Sequence, residues 1–150
     1  MDTCIAIAPA AITIRAPVLA EIARRWGEIE PVLERATART DGCFEAIDVL
    51  GLAMSGSLLV WLIEDGVELI AVAVTEVRQY PRKRVCDIPF IAAARHHQHR
   101  LAEWIIPLRD RLKAHAEKFG CQQLRALGRP GWARIPGLGM KLQAIMELET

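Results

Sequence analysis

Two apolar segments separated by a turn signal constrain the fold of this chain more than any other feature. Residues 57–63 (SLLVWLI) are almost continuously apolar, and residues 67–77 are rich in Val, Ile and Ala. Between them stands Asp65-Gly66, a dipeptide typical of tight β-hairpin turns. Segments of this length and composition that flank a turn indicate strands. The sequence therefore predicts a β-hairpin in the core of the protein.

Further strands are predicted on both sides of this hairpin. Residues 11–15 (AITIR) alternate β-branched with small or polar residues, and residues 85–91 (VCDIPFI) follow a polar connection at 78–84. Three antiparallel strands therefore follow one another along the chain. Pro89 lies inside the last of them and has no N–H to donate to a neighbouring strand. It predicts either a bulge or a strand edge that is unpaired at this point.

The second half of the chain contains the longest predicted helix. In residues 98–119 a stripe of apolar residues recurs every three or four positions, and Gly120 ends the helix. A strand predicted at 121–127 follows, so this helix is the crossover between two parallel strands. Shorter elements are also expected: helices from Pro17 to a stop at Gly27, at 31–38 and at 47–54, a helical turn after 128–132, and a strand at 140–148.

These elements predict one α/β domain over residues 1–150. Its sheet is mixed and mostly antiparallel, with a β-α-β crossover and helices on both faces. A chain of this length, 52% hydrophobic, has enough apolar residues to bury a core. We find no internal repeat and no linker in the sequence.

The net charge of +1 conceals two halves of opposite sign. Residues 1–77 carry 5 Lys and Arg against 12 Asp and Glu, a net charge of −7, whereas residues 78–150 carry 14 against 6, a net charge of +8. A basic half of this kind is typical of proteins with an anionic ligand or partner. The alternative is that the two halves neutralise each other in one folded domain.

A basic patch around the single tyrosine, Tyr80, contributes to this excess. It comprises Arg78, Arg82, Lys83 and Arg84. Nucleic-acid sites of this kind pair basic residues with stacking aromatics, and aromatic residues make up only 5% of this chain, so a nucleic-acid role is not expected. The patch is interpreted as a solvated turn, or else as a contact for a phosphate or an acidic partner.

Cysteine and histidine spacing does not predict a metal site. The four cysteines lie far apart with no C-x-x-C pair, and His96, His97 and His99 lack the spacing of known zinc motifs. The histidines are expected to be solvated or to face a phosphate. The apolar residues 4–14 are interrupted by Pro9, which fits neither a signal peptide nor a membrane span. The sequence therefore predicts a cytoplasmic protein with free thiols and no membrane partner.

The order of elements, together with several short segments, resembles the GNAT acetyltransferase superfamily. The segments are ITIR at Ile12–Arg15, WGEIEP at 26–31, AVAVTEV at 71–77, and Gly120-Cys121 followed by GRPGW at 128–132. Within the superfamily the chain is most similar to small GNAT-like proteins encoded by phages and prophages. The resemblance extends over nearly the whole chain.

The resemblance implies an acetyl-CoA site between the strands at 85–91 and 121–127, which diverge in this fold. Phe90 and Ile91 would line the path of the pantetheine arm through their backbone. The segment Arg95–Arg100 and Arg129 would meet the pyrophosphate. The cofactor would be acetyl-CoA, and the partner of the reaction an amine substrate.

The pyrophosphate loop departs from the family pattern, which is Arg/Gln-x-x-Gly-x-Gly/Ala. This chain has Arg95, His96, His97, Gln98, His99 and Arg100, so Gln98 and Arg100 stand where the glycines belong. Glycine allows the backbone to approach phosphates closely, whereas side chains at these positions crowd a nucleotide. Acetyl-CoA binding is retained or lost according to how this segment folds.

The resemblance also implies a carboxylate base on a central strand and a tyrosine near the end of the chain. Glu76 is the candidate base, with a solvated strand-end carboxylate as the alternative. The late tyrosine is missing. Two hypotheses therefore remain open: an acetyl-CoA-linked N-acyltransferase, and a non-catalytic, virion-associated or partner-binding protein that uses the same fold.

Overall fold

The computed structural model describes residues 11–126 and 130–141. These residues form five strands and four α-helices, with three short 3₁₀ helices. In chain order they are β1 (Ile12–Arg15), α1 (Leu19–Arg24), α2 (Trp26–Thr37), a 3₁₀ helix (Ala38–Thr40), α3 (Ala46–Met54), β2 (Leu59–Asp65), β3 (Glu68–Gln79), β4 (Arg84–Ala93), a 3₁₀ helix (Arg95–Arg100), α4 (Leu101–Lys118), β5 (Gln123–Ala126) and a 3₁₀ helix (Pro130–Arg134).

The strands form one mixed sheet in the order β1-β2-β3-β4-β5. The first three pairings are antiparallel, whereas β4 and β5 pair in parallel through the α4 crossover. The predicted mixed sheet and its crossover are therefore confirmed. The central hairpin is confirmed as well: Asp65 pairs with Glu68, and Gly66 makes the turn at a φ of 61°, in the left-handed region that glycine adopts without strain.

The bulge expected at Pro89 lies in the pairing of β3 with β4. The register passes from Val74 opposite Phe90 to Glu76 opposite Asp87, so one residue of β3 faces two residues of β4, one of them Pro89. Because proline has no N–H, it loses little where the ladder is already interrupted. This part of β4 therefore bends away from regular pairing immediately before its C-terminal half.

Helices cover both faces of the sheet and bury two separate sets of apolar side chains. On one face α1, α2 and α3 pack against residues of β2, β3 and β4, including Leu62, Val72 and Phe90. On the other face α4 packs against the alternate residues of the same strands, including Trp61 and Ile91. The alternation follows from the two-residue side-chain period of a strand.

The segment 130–141 lies against α4. Leu138 is almost fully buried among the side chains of the α4 layer. Arg109 of α4 donates hydrogen bonds to the carbonyl oxygens of Gly137 and Leu138. The chain therefore returns to α4 after β5.

Glu64 of β2 links the first strand to the helical layer. Its side chain is only 5% exposed and accepts hydrogen bonds from Arg15 Nε at 2.8 Å and from Arg25 Nη1 at 2.7 Å. A carboxylate without such partners would be costly to bury. The pair of arginines allows Glu64 to hold β1 and the start of α2 on the sheet.

One predicted helix boundary is wrong. We expected a helix to stop at Gly27 and another to begin at Pro31, but α2 runs from Trp26 through both residues. Pro31 removes one backbone hydrogen bond from the helix. Ile29 and Leu33 nevertheless form part of a continuous buried stripe on either side of it, and burial of that stripe offsets the lost bond.

Differences at the C-terminal side are smaller. The crossover helix starts at Leu101 rather than 98, because a 3₁₀ helix occupies Arg95–Arg100, and β5 begins at Gln123 rather than 121. The strand predicted at 140–148 falls mainly on residues 142–150, outside the described part. No helix among the described residues is both long enough and apolar enough to span a membrane.

Candidate functional site

In the described part of the chain, β4 and β5 pair over four residues. Pairing runs from Val85 with Gln123 to Ile88 with Ala126, whereas β4 continues to Ala93. In the described part of the chain, the last five residues of β4 have no strand on that side. The bulge lies next to the last of these pairs, and we call the space beside these five residues, where no described strand pairs with β4, the gap.

The backbone of Ile91 faces this gap. Ala94 N donates to Ile70 O of β3 at 2.9 Å, which fixes the alternation of the ladder. In such a ladder every second residue turns its N–H and C=O away from the partner, so Ile91 and Ala93 point away from β3. The carbonyl of Ala93 accepts a hydrogen bond from Arg35 Nε at 3.0 Å. Ile91 therefore offers a backbone donor and acceptor to a ligand lying in the gap.

The side chains of the two predicted pantetheine residues are part of the core. Phe90 packs with α2 and α3 and meets the ring of Phe44 edge-on, with 5.2 Å between the ring centroids. Ile91 packs on the opposite face, beside Trp104 of α4. The side chains of Phe90 and Ile91 are thus occupied by the core, and of the two backbones only that of Ile91 turns away from β3.

The predicted pyrophosphate segment, Arg95–Arg100, is a 3₁₀ helix that runs directly into α4. Arg100 Nη2 contacts Asp65 Oδ2 at 2.8 Å, and its Nε contacts Glu103 Oε2 at 3.0 Å. These hydrogen bonds raise the pKa of Arg100, with Glu103 contributing most, and the pKa of Glu103 is lowered in turn. Arg100 is therefore held by carboxylates and does not face open solvent.

His97 is held in a similar way, while the remaining side chains of the segment face outward. His97 Nε2 lies 2.8 Å from Glu68 Oε1 at the start of β3. Arg95, His96 and His99 are exposed, and so is Gln98, whose amide donates to Arg95 O at 3.1 Å.

An acyl-CoA molecule fits one half of this site and not the other. The gap beside β4 offers a free strand edge to a pantetheine arm. The segment that follows has no glycine and forms no backbone cradle for two phosphates. Phosphates could meet only the exposed charge of Arg95 and its histidine neighbours. Arg129, the other residue predicted for this role, lies outside the described residues.

Glu76, the predicted base, lies one step from the bulge on the sheet face that carries α1 to α3. It pairs directly with Asp87 of β4, and its side chain is 28% exposed. Arg78 Nε lies 3.4 Å from Glu76 Oε1 and 3.6 Å from Asp87 Oδ2. Two carboxylates in directly opposed positions repel each other, and the arginine between them offsets the repulsion. Glu76 is thus neither buried nor freely solvated.

Three further polar residues join this face and were not predicted as site residues. Arg125 of β5 binds Asp87 through two contacts, Nε–Oδ1 at 2.8 Å and Nη2–Oδ2 at 3.1 Å. The same Nη2 donates to Tyr80 Oη at 2.9 Å. Hydrogen bonds from Arg125, and then from Arg78, lower the pKa of the Tyr80 phenol. We call Glu76, Arg78, Tyr80, Asp87 and Arg125 the sheet-face cluster.

Glu76, Arg78 and Tyr80 were noted in the sequence analysis, whereas Asp87 and Arg125 were not. Asp87 stands in an apolar strand and Arg125 in a short strand 38 residues later. The sequence signal for their pairing is weak: a charged residue in each of two strands that the crossover makes parallel neighbours. The cluster lies one residue pair before the last described pairing of β4 with β5.

A second concavity lies elsewhere and contains none of the predicted residues. This open groove of about 530 Å³ lies between the start of α1, the first residues of β2, the C-terminal part of β3 and the end of α4. His115 and Phe119 form one wall, and burial lowers the pKa of His115, with Arg111 and Lys118 adding to the effect.

No group of three or more His, Cys, Asp or Glu side chains in the described part of the chain is arranged to hold a metal ion.

Comparisons with known proteins give structural neighbours alone. No protein-family model matches the sequence, and no curated protein matches it. The fold is similar to that of a GNAT family acetyltransferase from Staphylococcus aureus, with a TM-score of 0.62 and 6% identity over 93% of this chain and 98% of that one. An aminoglycoside acetyltransferase from an uncultured soil metagenomic sample gives a TM-score of 0.68 and 13% identity over 93% and 98% of the two chains.

A third neighbour is a ribosomal-protein-alanine N-acetyltransferase from Brucella melitensis. Its TM-score is 0.63 with 15% identity, over 93% of this chain and 100% of that one. Identities this low show a shared fold and nothing finer. The chain therefore has the fold of the GNAT acetyltransferases.

Proposed function

We propose that this protein is an N-acyltransferase that takes its acyl group from a pantetheine thioester, acetyl-CoA being the expected donor. The observation that supports the proposal is the edge of β4 after the bulge at Pro89, where no described residue of β5 pairs with the last five residues of β4. A strand edge with free N–H and C=O groups binds an amide-containing chain as an added strand would. A pantetheine arm, which contains two amides, suits that edge.

In this proposal Ile91 holds the arm through its backbone, and the thioester comes to lie near the bulge. Glu76, one residue pair away, takes a proton from the acceptor ammonium and so frees the nitrogen lone pair. The nitrogen then bonds to the thioester carbonyl carbon and the C–S bond breaks. One of the two remaining amine protons passes to the leaving thiolate, and the other stays on the amide nitrogen. The products are an amide and a thiol.

The charged segment Arg95–Arg100 supports a different way of holding the donor from a glycine loop. Arg95 attracts phosphates by charge and the exposed imidazoles of His96 and His99 offer hydrogen bonds, whereas Arg100 and His97 are already paired with carboxylates. Point charges on exposed side chains bind phosphate less tightly than a rigid cradle of backbone N–H groups. We therefore expect the pantetheine arm to contribute more of the affinity than the nucleotide.

The paired arginine and histidine also favour a second candidate, a partner-binding protein that has kept the fold and lost the donor. Its proposed setting, a phage particle, rests on the resemblance of the sequence to phage and prophage proteins and stays a prediction. The two candidates differ in one property, which is the binding of acetyl-CoA.

Thermal unfolding with and without acetyl-CoA separates them. A ligand at a hundred times its Kd adds about 2.7 kcal/mol to the free energy of unfolding, which for a chain of this size raises Tm by about 5–10 °C. Acetylpantetheine should produce much of this shift, and adenosine 3′,5′-bisphosphate little. No shift with either thioester at millimolar concentration would refute the acyltransferase and leave the partner-binding candidate.

Two variants locate the donor. Ile91→Pro removes an N–H that points away from β3, so it should abolish the shift with acetylpantetheine without removing a β3–β4 hydrogen bond, and Ile91→Ala is the control for the loss of its buried side chain. Arg95→Ala/His96→Ala should weaken acetyl-CoA and leave acetylpantetheine unchanged, with Lys113→Ala as the surface control. A shift that survives Ile91→Pro in a folded protein would place the donor elsewhere.

A further inference from the structure

We propose that the acceptor amine carries an anionic group, a phosphate or carboxylate, which binds in a basic pocket beside the sheet-face cluster. The proposal rests on the acyltransferase function and names its substrate class. The pocket is open and measures about 400 Å³, between the β3–β4 turn and β5. It is lined by Tyr80, Pro81, Arg82, Lys83 and Arg125.

Two cations of this pocket have no carboxylate partner among the described residues. Lys83 Nζ lies 2.8 Å from Gln123 Oε1, a neutral amide oxygen that orients the ammonium group and leaves its charge intact. Arg82 is exposed and forms no ion pair with another residue in the described part of the chain. The charges of Arg125 and Arg78, in contrast, are matched by Asp87 and Glu76. The pocket therefore has a net positive charge that an anion would neutralise.

Tyr80 supplies a directional donor. Its hydroxyl oxygen accepts a hydrogen bond from Arg125 Nη2 at 2.9 Å, which leaves the hydroxyl proton free to be donated. The guanidinium of Arg125 also lies over the Tyr80 ring at 5.4 Å and holds it in place. The two arginine contacts that lower the pKa of this phenol make it a stronger donor toward an oxyanion.

The pocket is at the right distance from the proposed reaction centre. Arg125 pairs with Asp87, which pairs with Glu76, so these residues form one row across three adjacent strands. Neighbouring strands lie about 4.8 Å apart, so the backbone of Arg125 lies roughly 10 Å from that of Glu76. The side chains of Arg125 and Glu76 would reach a ligand from its two ends, so the distance that the ligand itself must span is shorter than the backbone distance. An amine separated from its anionic group by about three to six bonds fits between them.

The same charges argue against a polycationic acceptor. Such a substrate would bring its additional amines against Arg82 and Lys83, and like charges in contact are repulsive. Specificity for the acceptor then comes from the unmatched charges of Arg82 and Lys83 as much as from the carboxylates of Glu76 and Asp87. This would separate the protein from its aminoglycoside-modifying neighbour, with which it shares the fold alone.

The first experiment measures binding of inorganic phosphate by calorimetry at low ionic strength, without any acyl donor. The variant Arg82→Gln/Lys83→Gln removes the two unmatched charges. Arg24→Gln/Lys113→Gln removes two exposed cations elsewhere and gives the same net charge. We expect the first variant to bind phosphate about tenfold more weakly than the second. Equal dissociation constants for the two variants, or no binding to the natural protein, would overturn the assignment of this pocket as an anion site.

The second experiment measures thiol release from acetyl-CoA with matched acceptors. We expect 3-aminopropylphosphonate to have a KM about tenfold below that of 3-aminopropan-1-ol, which lacks the anion. The ratio should fall to about one in Arg82→Gln/Lys83→Gln and persist in the control variant. Preference for 3-aminopropan-1-ol or for spermidine would overturn the substrate class. Selective loss of phosphate binding together with no transfer to any amine would keep the pocket and refute the acyltransferase.

Discussion

Two buried tryptophans in the same core layer provide a sharp test of the packing described above. Trp61 of β2 and Trp104 of α4 are each 1% exposed and pack in the layer beneath α4. Trp61 Nε1 donates to the buried hydroxyl of Thr75 at 2.9 Å, whereas Trp104 Nε1 has no hydrogen-bond partner in the described part of the chain. Replacing either one by Phe removes the same atoms, so the loss of volume is matched.

The difference between the two substitutions isolates the polar contacts. Trp61→Phe loses a hydrogen bond and strands the Thr75 hydroxyl, at a cost of about 1–2 kcal/mol. It also weakens the contact with the Arg111 guanidinium, which lies 4.8 Å from the Trp61 ring centroid. Trp104→Phe instead removes a buried donor that has no partner. We therefore expect Trp61→Phe to lower the free energy of unfolding by about 2 kcal/mol more than Trp104→Phe.

Urea unfolding followed by circular dichroism at 222 nm measures both variants without relying on tryptophan emission. For a chain of this size the same difference appears as a Tm lower by about 4–8 °C. The Thr75→Val substitution completes a double-mutant cycle, in which the hydrogen bond should give a coupling of about 1 kcal/mol with Trp61→Phe. Equal losses for the two tryptophans, or a larger loss for Trp104→Phe, would refute the assignment of these contacts.

Three further predictions follow from the ionisable groups. Because Tyr80 is the single tyrosine, absorbance at 295 nm against pH reports its pKa directly, which should lie below the usual value near 10 and rise in Arg125→Gln; an unchanged titration in that variant would contradict the contact. Burial raises the pKa of the Cys86 thiol to about 12, so iodoacetamide at pH 8 should label exposed Cys43 and spare Cys86, as mass spectrometry of the digested folded protein can show. Glu64→Gln leaves two arginines without their shared carboxylate and should lower the free energy of unfolding in urea by about 2–4 kcal/mol. A decrease below about 0.5 kcal/mol would show that the contact is dispensable.

The strands show how far the sequence alone could predict the fold. The apolar hairpin, the parallel pairing across α4 and the irregularity at Pro89 were all predicted, because each depends on a local signal. A turn dipeptide, an amphipathic period and a missing N–H each determine the conformation of the residues that carry them and of their immediate neighbours in the sequence. The helix boundary at Gly27 was predicted wrongly because burial of a long stripe in α2 outweighs the local preference of one glycine and one proline.

The candidate site was likewise predicted in part from the sequence. Residue types and their order were enough to name Glu76 and the charged segment Arg95–Arg100. They were not enough to show that Arg100 is taken by Asp65, a residue 35 positions earlier. Its partner comes from the central hairpin turn, which reaches the segment only because β2, β3 and β4 are adjacent.

By itself, then, the sequence determined the kinds of element, their order and the charge of the second half, since these depend on side-chain chemistry and local spacing. Tertiary structure alone decided which charges remain free. Sheet register brings Asp87 to Arg125 and so matches that arginine, while Lys83 and Arg82 have no carboxylate partner in the part of the chain that the structure describes. Pairing across strands depends on register over tens of residues, which no local pattern encodes. For that reason the basic excess of the second half points to the pocket beside Tyr80 as well as to the segment before α4.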